Sequence, residues 1–188
     1  MNIKRVLLAS LAGAVVAFVW TMISWMALSW HDLDFRSFSD PSPVTESIMN
    51  QTTESGIYFL PNSDPEAHND PEKHEQWMVD AAKGPFALMV LRREGMEITM
   101  GAQMATMFSI QLITAFLLTV LLAQTHIQSF LKRAVFVSIA AVAGGMIVHL
   151  TNWSWWGFPI ATTVVGIVDT GITWFLSGLA IGKIYKTS

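Results

Sequence analysis

Residues 134–182 read AVFVSIAAVAGGMIVHLTNWSWWGFPIATTVVGIVDTGITWFLSGLAIG, two apolar arms joined at Trp155-Trp156-Gly157-Phe158-Pro159. Each arm is about 22 to 25 residues long, and about 1.5 Å of rise per residue carries such a helix across a hydrocarbon layer of about 30 Å. The stretch is a hairpin of two membrane-spanning helices. Each arm holds one ionisable residue, His149 going out and Asp169 coming back. His149 lies about 22 Å in from Ala134 and Asp169 about 20 Å in from Gly182, so the two are expected to face each other at one depth.

Working outward, residues 99–124 form a further apolar run, and residues 6–30 a first one without a charge, behind the basic head Met1 to Arg5. A cleaved signal peptide is the alternative for that first run. Signal cores run to about 7–15 residues, whereas this one continues to Trp25 and Trp30, as an uncleaved helix with aromatic anchors does. A hydrophobic content of 52 % supports a membrane bundle with one modest polar insert. The chain has no cysteine, which removes disulfides, thiolate metal sites and cysteine nucleophiles.

Charge sets the expected orientation. Lys4, Arg5, Lys132, Arg133, Lys183 and Lys186 flank the apolar runs without acidic company, while 13 of the 14 acidic residues lie between His31 and Ile98 against five basic ones. By the positive-inside rule both termini and the loop at Lys132-Arg133 are cytoplasmic, and residues 31–98 lie outside. An acidic outer segment argues against nucleic-acid binding.

Within residues 31–98, Ser42-Pro43 is expected to open a helix to about Thr53. Asp70-Pro71-Glu72 is expected to open another, closed by Lys83 and Gly84. Gly56 to Leu60 and Phe86 to Leu91 are aromatic or β-branched runs bounded by Gly and Pro, able to pair as a two-stranded ribbon.

The expected fold is an all-α integral membrane protein, a four-transmembrane-helix bundle with a small α/β extracytoplasmic cap between helices 1 and 2. Its divisions are a head and first helix (1–30), cap (31–98), second helix (99–124), cytoplasmic loop (125–133), third helix (134–156), fourth helix (157–182) and tail (183–188). The expected place is a bacterial inner membrane.

The polar layer is where chemistry is expected. Ser138, Ala141, Gly145, His149 and Asn152 share one face of the third helix, and Thr162, Gly166, Asp169, Thr173 and Ser177 one face of the fourth. Small residues let the two backbones approach, and polar ones then meet across the contact. Gln111 on the second helix and Trp20, Thr21 and Ser24 on the first lie at the same depth. An unpartnered Asp costs about 2.5–3.5 kcal/mol on insertion scales, so Asp169 needs a partner or a proton. His149 is the expected donor, completed by Asn152, Gln111 or Thr173, either as a structural lock or as a proton-accepting pair.

Three further patterns carry possible ligand or contact chemistry. Met96, Met100, Met104 and Met107 recur at helical spacing, which suits Cu(I) thioether ligation or adaptable packing. His68 and His74 lie among carboxylates, a composition for a divalent cation but a spacing that matches no closed tetrahedral site. Trp25, Trp30, Trp153, Trp155 and Trp156 read as an interfacial aromatic belt or a docking surface. No cofactor is expected, since only one histidine lies deep enough to ligate haem. The chain carries no G-x-S-x-G, H-E-x-x-H or Walker A motif and no second membrane carboxylate, so an enzyme is not expected. The expectation is an accessory or scaffold component in contact with lipid and with other membrane subunits or itself. The rival is a small proton- or cation-handling transporter built on His149 and Asp169, and the third reading is outer-face metal binding.

Overall fold

The computed structural model describes residues 2–62 and 69–186. In chain order these form α1 (Ile3–Ala27), a 3-10 turn (Ser29–Asp32), α2 (Pro41–Gln51), β1 (Gly56–Leu60), α3 (Pro71–Lys83), β2 (Ala87–Leu91), α4 (Met100–Ala123), α5 (Phe130–Trp156) and α6 (Ile160–Ile184). Four of these, α1, α4, α5 and α6, are long and apolar enough to cross a membrane. The chain divides into two compact units. One is Met1–Phe35, Ile98–Ser154 and Phe158–Ser188, and the other is Arg36–Glu97 with Trp155–Gly157.

In the helical unit α1 packs against both α4 and α6. Its buried positions are Val6, Ala9, Ser10, Gly13, Ala14, Ala17 and Ser24, nearly all small, so neighbouring backbones come close. A methyl at Gly13 would stand 2.7 Å from Ile181 Cγ1, so any larger residue there would have to displace that side chain. Toward α4 the markers are an edge-to-face pair of Phe18 and Phe108, 5.7 Å between centroids, and a hydrogen bond from Gln111 Nε2 to Thr21 Oγ1 at 2.8 Å. Outward-facing residues are large and apolar, for example Leu8 and Ile147 at 59 % and 72 % exposure. That is the surface of a helix facing hydrocarbon.

The hairpin of α5 and α6 closes through glycine. Gly145, Gly166, Gly171, Gly178 and Gly182 all lie at the seam, and a methyl at Gly178 would meet the Ala134 backbone at 2.9 Å. Ser138 Oγ donates across it to the Gly171 carbonyl at 2.8 Å. At the end of the hairpin away from its turn sits Arg133, only 6 % exposed. Its guanidinium donates to the carbonyls of Ile127, Gln128, Gly182 and Tyr185 at 2.6–3.1 Å. Two of those carbonyls belong to the open C-terminal end of α6, where a cation also meets the negative end of the helix dipole. Arg133, expected only as an orienting charge, is also a buried clamp.

The smaller unit is built from local grammar. β1 and β2 pair antiparallel with Gly56 opposite Leu91 and Leu60 opposite Ala87. Asp70 caps α3 by accepting from the amides of Glu72 and Lys73, and Gly84, at φ +76°, ends it. The helix expected to open at Ser42 instead opens at Pro41. Asp40 is the cap, its Oδ1 taking the Ser42 amide at 3.0 Å, because Asp-Pro supplies both the acceptor and the fixed φ one step earlier. Arg93 Nη1 donates to the carbonyls of Met49 and Thr52 and to Thr52 Oγ1, closing α2 as Arg133 closes α6.

Candidate functional site

The densest polar cluster of the helical unit is built on Asp169. Trp20 Nε1 donates to Asp169 Oδ1 at 2.7 Å, and Ser24 Oγ donates to the same oxygen at 2.9 Å. On the other side, His31 Nε2 lies 3.5 Å from Asp169 Oδ2. Trp20 and Ser24 are one helical turn apart on α1, so both reach the same oxygen. His31 arrives by a different route. The 3-10 turn after α1 folds the chain back so that His31 stacks on Trp25, 4.0 Å between centroids and 4° between planes, and meets Trp30 edge-on at 5.7 Å.

The proton positions follow from donor counting. Trp30 Nε1 donates to Ser24 Oγ at 3.1 Å, and Ser24 gives its own hydrogen to Asp169. The remaining contact, Ser24 Oγ to His31 Nε2 at 2.9 Å, therefore has His31 as the donor, which assigns the proton to Nε2. Ser24, 0 % exposed, has one donor and two acceptors in use. Every donor in the cluster points toward Asp169 or toward the serine that serves it.

Serine, histidine and aspartate thus meet in one place, but not with the wiring of a hydrolytic triad. That wiring needs an unprotonated imidazole nitrogen on the serine and the other ring nitrogen on the carboxylate. Here one nitrogen, Nε2, faces both, and the serine gives its hydrogen to the carboxylate directly. The arrangement differs from that triad in its wiring.

His149, expected opposite Asp169, faces Gly166, where a methyl would collide with its imidazole ring. Gly166 and Asp169 are three residues apart, about 60° around α6, so one turns toward α5 and the other toward α1. The imidazole within reach of the Asp169 carboxylate is therefore that of His31. Thr173 Oγ1 donates to the Asp169 main-chain carbonyl at 2.7 Å, and the Asn152 carbonyl accepts the Phe158 amide at 3.3 Å. Gln111 is buried and bonds to Thr21 rather than into the cluster.

His149 and Asp169 do share the wall of one cavity of about 250 Å³, with Trp25, Trp30, His31 and Phe35 around it. Of the proposed metal ligands, Met96 and Met100 are 52 % and 71 % exposed, while Met104 is half-buried. His74 stacks on Trp77 in α3 at 6.0 Å, and His68 lies outside the described residues. Among the described residues, no group of three or more His, Asp or Glu gathers as a metal site. Trp25 and Trp30 belong to the Asp169 cluster, and Trp153, Trp155 and Trp156 are 48 %, 73 % and 41 % exposed.

Trp20 and Ser24 are recognisable in the sequence by their depth. His31 is not, because it lies beyond the end of the apolar run. Its signal is a seven-residue spacing from Ser24, two helical turns, beside Trp30. No protein-family model, curated protein or solved structure matches the chain.

Proposed function

We propose that the chain is a non-enzymatic, polytopic membrane protein acting as an accessory or scaffold component of a larger membrane assembly, in an inner membrane of bacterial type. Both termini face the cytoplasm and residues 31–98 lie outside, as the distribution of Lys and Arg requires. The observation that carries the reading is the commitment of Asp169. Its Oδ1 takes two hydrogen bonds and its Oδ2 faces His31, all from the chain's own α1 and the turn that follows it. A deep carboxylate used this way fixes which helix faces which. Exposed Trp153, Trp155 and Trp156 supply the kind of side chains that dominate partner contacts.

Gentle detergent extraction at native expression level, followed by mass determination of the intact particle, tests this. A particle heavier than one chain and its detergent, containing other subunits, is expected. A lone monomer without partners would sink the reading. A second reading, proton or cation handling, is favoured by one observation, the cavity that opens beside Asp169 and His149.

A further inference from the structure

Three of the residues that border the cavity carry acceptors to spare. Asp169 Oδ2 has His31 Nε2 at 3.5 Å, beyond close hydrogen bonding, so it retains capacity to accept. Thr170, also on the wall, gives its hydroxyl hydrogen to the Gly166 carbonyl at 2.8 Å and is left with lone pairs only. The imidazole of His149 takes part in no hydrogen bond or ion pair among the described residues, and a neutral imidazole offers one further acceptor nitrogen. The wall thus offers acceptors, while two of its donors, Trp30 Nε1–H and His31 Nε2–H, are already turned to Ser24. Around them stand Trp25, Trp30 and Phe35, whose rings attract cations and reject anions. A carboxylate at the same wall acts in the same sense.

We propose that this cavity binds a small primary alkylammonium ion. Its three N–H donors meet Asp169 Oδ2, the free nitrogen of His149 and Thr170 Oγ1, and its short alkyl end lies against the aromatic wall. A divalent metal fits less well, because among the described residues no three imidazole or carboxylate ligands converge. A volume of about 250 Å³ lies below the usual range of about 300–1,000 Å³ for drug-sized pockets, so the ligand has only a few heavy atoms. This inference deepens the second reading above by naming the chemical class of the cation.

The test is calorimetric titration of ethylammonium chloride into the full chain in detergent micelles, with sodium chloride and ethanol as probes of charge alone and of the alkyl group alone. Saturable binding of ethylammonium, with neither control binding, is expected. Asp169→Asn should abolish it, but that change also loosens the helices. His149→Leu is the second variant, because its ring is outside the Asp169 cluster. It should weaken binding about tenfold or more while leaving thermal unfolding of the empty protein in place, as loss of one charge-assisted hydrogen bond requires. Absence of saturable binding, or binding unchanged by His149→Leu, overturns the proposal. Flux through reconstituted vesicles is a separate readout. Binding without flux keeps the site and removes the transport reading, whereas proton flux without ammonium binding removes the site and leaves that reading standing.

Discussion

Ser24 has one hydrogen to give and two lone pairs to offer, and all three are in use, toward Asp169, Trp30 and His31. Asp169 depends on that hydroxyl as much as on Trp20, so neither end of the contact can change alone. Asp169→Asn keeps an acceptor for Trp20 and Ser24 but sets an amide N–H₂ against the His31 Nε2–H. Stability in detergent should fall by about 1–3 kcal/mol, the cost of a buried donor without a partner. Asp169→Leu strands two donors, Trp20 Nε1–H and the Ser24 hydroxyl, and should cost more than Asn, and equal losses would show that the carboxyl is not what the donors serve. In the smaller unit, the Ser55 hydroxyl donates to Glu94 Oε2 at 2.5 Å and holds that carboxyl below its ordinary value of 4.5, helped by a backbone hydrogen bond and the Arg92 charge. A depressed folded value means the contribution is present above about pH 4.5 and is lost as pH falls through the folded value. Ser55→Ala should return the Glu94 titration toward its ordinary range, read by carboxyl carbon chemical shift against pH.

Among the elements, the seam between α5 and α6 is the most exacting. Gly166→Ala puts a methyl into the His149 ring, and overpacking of this kind costs about 1–3 kcal/mol. Adding His149→Ala should recover most of that loss in thermal unfolding, whereas Gly144→Ala, with open space around it, should be neutral. The long helices and the two-stranded ribbon are legible in the sequence because their causes are local, namely apolar length, Asp-Pro openings and glycine closures. The partners of α6 are not. Gly166 and Asp169 read as one stripe by spacing, yet Gly166, like Gly171, Gly178 and Gly182, meets α5 while Asp169 and Ile181 meet α1. A helix with two packed faces places residues three apart on different neighbours, and spacing alone does not say which. His31 escapes for another reason, since a 3-10 turn outside any periodic run carries it to Asp169.

At the scale of the molecule, four helices are long and apolar enough to cross a bilayer, and the proposed orientation puts the acid-rich residues 31–98 outside. The absence of cysteine makes that orientation testable without background. In intact cells, Ser37→Cys should react with a membrane-impermeant maleimide and Ser129→Cys should react only after lysis, the reverse pattern contradicting the orientation. What joins the first helix to the last is the Asp169 cluster, which spans 149 residues of sequence between Trp20 and its acceptor. The most direct measurement of that role is a double-mutant cycle in thermal unfolding of the intact chain in detergent, using Ser24→Ala, Asp169→Asn and the two together. If the cluster locks α1 to α6, the combined loss falls short of the sum of the single losses by about 0.5–3 kcal/mol. Losses that add within about 0.3–0.5 kcal/mol would show two independent side chains and contradict the lock.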